Sequence, residues 1–261
     1  MLKLNSLGFF FRYVKKKNVL RIKKFATILL LVTVVASGLK AQKFYRFKAE
    51  VSIKDKLANG TYRLTTGKVY YDKIYKKVVY QLKFPKKETM VVQDTTMYTL
   101  DANDKLLNSS RTVLIPEFTV FHLALTNQLS NYGLKGGQEQ SIYKIGKVEK
   151  TDKGVLTTWV PAEERLKKLF GDIKMLKKGK RLDAMIFYDA KGKIVSRQFF
   201  KKYVNVKGVE FPQEVTMMSY DFEGKRNLQL TTYKNIEIDQ NDEDNMYRYR
   251  IPITQSAGLR K

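Results

Sequence analysis

Few residues in this chain have the types that catalysis requires. His122 is the only histidine among 261 residues, and there is no cysteine. The histidine lies among Phe121, Leu123 and Leu125, a setting more typical of a packed or hydrogen-bonded side chain than of a catalytic one. Ser/His/Asp catalysis, thiol chemistry and metal sites rich in His or Cys are therefore disfavoured. The sequence predicts a protein that is not an enzyme and that uses no cofactor.

Two further groups of residues have the composition of ion sites but not the spacing. The segment 239–244 packs four carboxylates into six residues, yet it lacks the spacing and the glycine of a calcium loop. A solvated acidic loop is the better interpretation. Gly133, Gly136 and Gly137 do not open a strand-to-helix turn, so they form no phosphate-binding motif. We predict neither a metal site nor a nucleotide site.

The N-terminal 41 residues have the pattern of an export signal. A cationic run that includes Lys15 to Lys17 is followed by an apolar block from Phe25 to Ala36. That length fits the core of a signal peptide and is too short to span a bilayer. Cleavage is expected after Gly38 or after Ala41, with a slight preference for Ala41. With no cysteine at the junction, the expected product is a soluble periplasmic protein, residues 42–261, with one domain.

The charge of the predicted mature chain is strongly positive. Residues 1–41 hold nine of the 50 Lys and Arg residues and none of the 25 acidic ones, which leaves a net charge of +16 on 220 residues. Export argues against nucleic acid as a partner, and the lysines are scattered rather than gathered in one stripe. A solvated basic surface is the favoured interpretation, and weak transient attraction to anionic membrane headgroups is the main alternative.

The first part of the mature chain alternates strands and turns. Strands are predicted at 44–54, 61–71, 78–84, 89–92, 97–100 and 105–113, with an Asn59-Gly60 hairpin turn after the first. In the third strand Val78, Tyr80, Leu82 and Phe84 share one face, so that face is expected to be buried and the other solvated. A sheet with one apolar face must bury that face under another element, which we call the cover.

Two amphipathic helices are predicted, one of which supplies that cover. Apolar residues recur at helical spacing from Pro116 to Leu129, with the proline in the first turn. A second short helix is predicted from Pro161 to Phe170, with Gly171 just past its end. Between them the pattern predicts a hairpin of 141–148 and 155–160.

After Lys180 the sequence predicts an antiparallel meander. The strands are 182–188, 195–203, 214–222 and 227–238, separated by turns that end in Gly192, Gly208 and Gly224, and a last strand follows at 246–251. About ten strands with few breaks must curl or split. The predicted fold class is mainly β (α+β): a single curved antiparallel sheet that forms an incomplete barrel covered by one or two helices.

Many of these strands carry large apolar side chains on both faces. They include Met217, Met218, Tyr220, Phe222, Phe199, Phe200, Met246, Tyr247 and Tyr249. Flexible methionine and aromatic side chains on a curved sheet suit an acyl-chain cavity. They suit a filled barrel core equally well. The pattern alone leaves both interpretations open.

Three motifs in the first part of the mature chain are the Gly-led strand at 67–71, the strand 78–85 that ends in Pro85, and the hairpin at 88–98 with Asp94 between Val92 and Tyr98. In this order they resemble the opening strands of the LolA family, periplasmic carriers of outer-membrane lipoproteins. In the C-terminal part the runs 187–195, 231–236 and 246–252 resemble the closing strands of the family. The likeness covers most of the mature chain.

The resemblance implies a half-open barrel whose apolar concave face takes up the acyl chains of a lipid or lipoprotein. The helix 116–129 would be part of the cover. The functional arginine of the family is matched here by Lys73, which keeps the charge but loses the planar fork of donors. The residues that this interpretation places at the acyl chains are Tyr71, Lys73, Val78, Tyr80, Leu82, Phe84, Phe118, Phe121, Leu125, Met218, Tyr220 and Phe222.

Two functions follow as hypotheses. The first is a periplasmic carrier that moves acyl chains toward the outer membrane, with an inner-membrane release complex and an outer-membrane acceptor as partners by resemblance. The second is a binding module that detects lipids or lipoproteins and signals to a protein partner. Transfer of lipid between membranes would distinguish the carrier from the sensor.

Overall fold

The alternation of apolar and polar residues produces a single antiparallel sheet of 13 strands in the computed structural model. The structure describes residues 43–112, 115–134, 141–221 and 223–252. The strands are β1 (Arg46–Lys56), β2 (Tyr62–Asp72), β3 (Lys77–Phe84), β4 (Glu88–Gln93), β5 (Thr96–Leu100), β6 (Leu106–Arg111), β7 (Tyr143–Thr151), β8 (Gly154–Pro161), β9 (Ile173–Lys178), β10 (Arg181–Tyr188), β11 (Ile194–Val206), β12 (Val209–Tyr220) and β13 (Arg226–Ile238).

Two meanders joined side by side make up this sheet. Strands β1 to β6 form one and β7 to β13 the other, and β1 pairs with β13 between them. The order leaves β6 and β7 as the two edges, so the sheet is not closed. The chain leaves the sheet at one edge and re-enters at the other. The segment between β6 and β7 must therefore cross a face of the sheet, and it carries the cover helix.

The two faces of the sheet have different covers. Helix α1 (Val120–Leu125) packs on what we call the inner face, against β1 and β12. One helical turn near the C-terminus, α3 (Asp244–Tyr247), packs on the opposite, outer face, beside β2 and β3. Helix α2 (Glu164–Lys167) lies in the β8–β9 connection. Among the described residues no helix is long and apolar enough to cross a membrane.

The fold class predicted from the sequence is confirmed, and most strand positions agree within a few residues. The prediction for β3 is correct for one face only. Val78 and Tyr80 contribute to the inner core, but Val79 is also fully buried, on the outer face, beside Tyr247. Both faces of β3 are covered at that end. The expectation of one solvated face was wrong because the C-terminal segment folds back over it.

The long helix predicted from Pro116 to Leu129 is broken into three pieces. Pro116–Phe118 is a 3₁₀ turn, α1 follows, and Leu129–Asn131 is a second 3₁₀ turn. The first break lies at Thr119, whose extended backbone and side-chain oxygen cap α1 by accepting from the His122 amide. The second break follows Asn127, which is in the left-handed region. Both residue types favour helix ends over helix interiors.

Three further predictions were wrong. The helix from Pro161 to Phe170 is reduced to α2, with Pro161 at the end of β8. The strand β9 was missed. The last strand, 246–251, is replaced by α3, which the Arg248 amide closes by donating to the Asp244 carbonyl. Short segments of mixed polarity do not settle these choices without their tertiary contacts.

Candidate functional site

The centre of the inner face is a cluster of aromatic rings assembled around α1. The ring of Phe121 lies 4.8 Å from that of Phe47 and 6.2 Å from that of Phe211, with which it is nearly parallel. Tyr233 meets it edge-on at 5.6 Å. Phe121 is almost completely buried. This part of the inner face is a filled core, and Phe121 is the main anchor of the cover helix.

A side-chain hydrogen bond also holds α1 against the sheet. The Tyr71 hydroxyl lies 2.6 Å from Nδ1 of His122. Burial raises the pKa of Tyr71, so it stays protonated and can donate to the imidazole. Burial lowers the pKa of His122, helped by Lys73 and Lys76 and opposed by Glu117. The surroundings of His122 therefore favour the neutral form of its side chain.

The cover is attached to the second meander through Tyr132. Its ring lies 6.1 Å from Phe187 and 6.0 Å from Phe200, and its hydroxyl donates to Gln198 at 3.3 Å. Val120 of α1 packs against the buried clusters of both meanders. The cover helix therefore packs across the junction of the two meanders, where β13 lies between β1 and β12.

Beside this filled core the inner face continues as a set of apolar residues on the first meander. We call them the inner strip: Ile53, Tyr80, Leu82 and Met90. Ile53, Tyr80 and Met90 are only partly buried, and Leu82 is 8% exposed. The inner strip is therefore an apolar surface beside the filled core that stays partly exposed.

Gly67 shapes the inner strip. A Cβ atom at this position would lie 2.2 Å from the carbonyl oxygen of Gln81 and 2.8 Å from Cα of Leu82. The register between β2 and β3 shifts at the same point, between Thr66 and Gly67. Only glycine allows β3 to come this close. Beyond this irregularity the register partner of Phe84 is Thr66, whose own partner Ser52 lies on the outer face, so Phe84 leaves the inner face.

The structure separates the residues predicted to meet acyl chains. Four lie in the filled core of the inner face: Tyr71, Val78, Phe121 and Leu125. Two belong to the inner strip, Tyr80 and Leu82. Phe84 lies beyond the register shift between β2 and β3 and is 51% exposed. Phe118, at the start of the cover, is 59% exposed. Phe222 lies outside the described residues.

Three of the predicted residues lie elsewhere. Met218 and Tyr220 alternate with Met217 along β12, and their register partners place them on the outer face. Lys73 lies in the β2–β3 turn, with its ammonium 4.6 Å from the centre of the Tyr45 ring. A cation on an aromatic face is held in place there. These three residues are not brought together with the inner strip.

Sequence reasoning missed the inner-strip residues Ile53 and Met90 and the anchor Tyr132. Strand periodicity could have identified Ile53 and Met90, because it places each of them on the same face as residues already assigned to the inner face. Met90, for example, is the register partner of Tyr80. Tyr132 had no such signal, since it follows a 3₁₀ turn and has a left-handed backbone.

The acidic segment 239–244 was expected to be a solvated loop; residues 240–242 are exposed, but the segment is also tied to the sheet. Three of its carboxylates pair with cations of the outer face. Lys48 bonds Asp242 at 2.6 Å and Glu243 at 3.2 Å, and Arg46 bonds Asp244. Burial opposes the charge on Lys48, but its carboxylate partners outweigh it and raise the pKa of the ammonium. The segment clamps the C-terminal residues onto the outer face.

That clamp covers a small outer core. The ring of Tyr247 meets Tyr70 edge-on at 5.6 Å, and Val79, Val91 and Leu100 are fully buried around them. No group of three or more His, Asp or Glu side chains suited to a metal ion occurs in the described part of the chain. The role of these acids that the structure shows is to pair with Lys48, Lys68 and Arg46.

Comparison with known proteins identifies the architecture. No family model matches the sequence, and a search of curated proteins finds no match. A LolA superfamily protein from Nitrosomonas europaea is 11% identical with a TM-score of 0.50, covering 78% of this chain and 91% of that chain. A DUF1329 family protein from Desulfovibrio piger is also 11% identical with a TM-score of 0.50, covering 83% and 94%. The chain therefore has a LolA-like fold, as its motifs predicted.

Proposed function

We propose that this chain, which has a LolA-like fold, is an exported carrier that binds the acyl chains of a lipid or lipoprotein and moves them toward the outer membrane. The observation that supports this best is the inner strip, an apolar surface that remains reachable next to a covered core. The proposal includes no catalytic step. It rests on the inner strip and on the LolA-like fold.

The energetics of acyl binding fit this surface. Each buried methylene contributes about 0.8 kcal/mol, so even part of a fatty chain laid along the inner strip gains several kcal/mol. The space around Phe121 is already filled, so a chain enters beside α1 or by displacing it. The exposed ring of Phe118 lies at the N-terminal start of the cover, where it can close over a bound chain.

The cover is suited to opening. Helix α1 has only six residues, and a helix of that length has little stability of its own in water. Its position depends on Phe121, the Tyr71–His122 hydrogen bond and Tyr132. A carrier must hold its cargo away from water and release it at a membrane or a partner, and a short helix held by a few contacts permits both.

Binding of an acyl probe tests this proposal directly. The mature chain, residues 42–261, is purified without detergent, extracted with organic solvent and titrated with cis-parinaric acid. We expect saturable binding that Met90→Asp weakens at least about tenfold, because a charge then lies in the inner strip beside Tyr80. Tyr220→Asp is the matched control on the outer face and should bind as the wild type does.

Two results would contradict the proposal. One is no saturable binding by the folded wild-type chain, and the other is an equal loss in both variants. Transfer of a fluorescent lipid from donor to acceptor vesicles then separates a carrier from a sensor. A chain that binds the probe but never speeds transfer, and instead holds a stable protein complex, would be a lipid-sensing module.

A further inference from the structure

One end of the sheet differs from the other in its exposed side chains. Because the strands are antiparallel, the connections β1–β2, β8–β9, β10–β11 and β12–β13 all lie at the same end. We call it the lower end. The β8–β9 connection there exposes two large apolar side chains, Leu169 at 71% and Phe170 at 42%. Tyr62, at the start of β2, is also 71% exposed.

The connection that carries Leu169 is fixed at its base. The Phe170 amide donates to the Leu166 carbonyl, and the Tyr143 hydroxyl donates to the Gly171 carbonyl at 3.2 Å. A Cβ atom on Gly171 would come 2.0 Å from the carbonyl oxygen of Asp189, so the segment passes very close to the next turn. Leu169 and Phe170 are therefore presented outward by a held segment. Lys167 and Lys168 directly precede them.

Next to the lower end, the outer face carries two neighbouring rows of partly or fully exposed side chains. Register partners define one row from Leu64 on β2 to Leu156 on β8 and the other from Tyr62 to Thr158. No side chain in either row is buried. The rows are two residues apart along each strand, which is about 7 Å. We call the two rows the outer band.

The composition of the outer band is unusual for an uncovered sheet face. Most positions are apolar, among them Leu230, Phe199, Leu176, Met218, Leu228 and Ile186. The charged positions are all basic: Lys54, Lys56, Lys174 and Arg197. Neither row contains a carboxylate. A solvated sheet face normally alternates charges of both signs, so a face without acids needs a different explanation.

Four of the acids at the lower end are engaged within their own turns. Asp189 and Asp221 accept backbone amides of the turns they open. Glu163 pairs with Arg165, and Glu164 pairs with Lys167 at 2.8 Å. These carboxylates stabilise the connections, while the cations of the outer band lack an acidic neighbour in their own rows.

From these observations we propose that the lower end docks on an anionic lipid bilayer. Leu169 and Phe170 enter the interface, and the outer band, which is about 7 Å deep, lies among the headgroups. An interfacial layer accepts apolar side chains to a depth of about 5–10 Å, and lysines near it are attracted to anionic lipid. Tyrosines such as Tyr62 and Tyr220 suit the same layer, since one end is apolar and the other polar.

A second copy of this chain fits the band less well than a bilayer does. Apposing two outer bands would bring Lys54, Lys56, Lys174 and Arg197 against the same cations of the partner, with no acid to compensate. An anionic bilayer supplies the opposite charge and an apolar interior together. The docking holds with or without cargo, so it goes beyond the proposed carrier function and has its own test.

Co-sedimentation with vesicles tests the docking. The mature chain, without any acyl probe, is mixed with vesicles of phosphatidylcholine containing about one-third phosphatidylglycerol, and with vesicles of phosphatidylcholine alone. We expect binding to the anionic vesicles that falls with added salt. Leu169→Asp with Phe170→Asp should reduce the partition coefficient at least about tenfold, and Lys54→Glu with Lys56→Glu similarly. The matched controls lie at the other end of the sheet: Ile74→Asp, at a side chain 66% exposed, and Lys180→Glu.

Three outcomes would overturn the docking. They are no binding of the folded wild type to anionic vesicles, equal binding to neutral vesicles at any salt concentration, and an equal loss in the control variants. A folded chain that ignores vesicles but binds an acidic protein through the outer band would also count against it. Thermal unfolding of every variant shows whether it is folded. Since no acyl probe is present, failure here leaves the carrier proposal to its own test.

Discussion

The hydroxyl of Tyr71 lies 2.6 Å from Nδ1 of His122, and this single pair joins β2 to the helix that covers the inner face. The bond lies between two partly or fully buried groups, next to the ring of Phe121. Through this bond the side chain of the only histidine in the sequence contacts the sheet. Its contribution to stability can be measured by changing the pH and by replacing Tyr71.

Acidification should weaken the cover through His122. Burial lowers the pKa of His122 below its usual value of 6.5 in the folded chain. The unfolded chain therefore takes up a proton first as the pH falls, and the free energy of unfolding decreases below about pH 6.5. Urea unfolding of the wild type and of His122→Gln between pH 7.5 and 5.5 measures this. The wild type should lose more stability than the variant over that interval.

The carboxylates with lowered pKa values lose their contribution to stability below this pH interval. The pKa values of Glu117, Glu210 and Glu243 are lowered from 4.5, so their contributions are lost at lower pH. Parallel curves for the wild type and His122→Gln above pH 5.5 would show that the imidazole is not held neutral by the fold.

Removing the tyrosine hydroxyl should loosen α1 selectively. Tyr71→Phe keeps the ring beside Phe121 but deletes the bond to His122, which costs about 1 kcal/mol of stability. We expect faster hydrogen exchange in α1, since one of its few ties to the sheet is gone. Tyr203→Phe is the control, because it loses a comparable bond, to the Leu182 carbonyl at 2.7 Å, within the second meander. Faster exchange of α1 in both variants would indicate general destabilisation instead.

Replacing each of the two phenylalanines of the cover with alanine should change the unfolding free energy by very different amounts. Phe121→Ala removes a fully buried ring from the aromatic cluster and should cost about 3–5 kcal/mol of unfolding free energy. Phe118→Ala, at a side chain that is 59% exposed, should change stability by less than about 0.5 kcal/mol. Chemical denaturation measures both. A large loss at Phe118 would mean that this ring is packed, and the acyl-closing role proposed for it would have to be abandoned.

The sequence was sufficient where local chemistry decides the structure. Alternation identified β3, the Asn59-Gly60 pair identified the first hairpin, and glycines at 192, 208 and 224 identified the turns of the second meander. The inner-strip residues Tyr80 and Leu82 were found in the same way, because period-two alternation assigns a face without any knowledge of partners. Alternation fails for Phe84, because the register shift opposite Gly67 changes its face.

The sequence was insufficient where distant residues decide. The segment 246–251 has strand-like composition, yet α3 forms there because Tyr247 packs on Tyr70. The burial of Val79 has the same cause. The assignment of Met218 and Tyr220 to the acyl set depended on which face of β12 is the inner one, and apolar composition on both faces of a strand does not reveal that. Only the register with β13 settles it.

The clamp on the outer face gives a final prediction, at Lys48. Its side chain is only 8% exposed and bonds Glu237 at 3.0 Å, Asp242 at 2.6 Å and Glu243 at 3.2 Å. Lys48→Met leaves three carboxylates close together without their cation. Since these acids are partly exposed, we expect a loss of about 1–3 kcal/mol rather than the larger cost of a fully buried pair.

The loss should be local as well as global. Hydrogen exchange of residues 239–252 should rise more than that of the inner core, because the C-terminal segment loses its central ion pair. Lys202→Met is the control: Lys202 pairs with Glu214 at 2.7 Å but is 67% exposed, so its removal should change stability by less than about 1 kcal/mol. If Lys48→Met left the exchange of 239–252 unchanged, apolar packing of Tyr247 alone would hold the segment on the outer face.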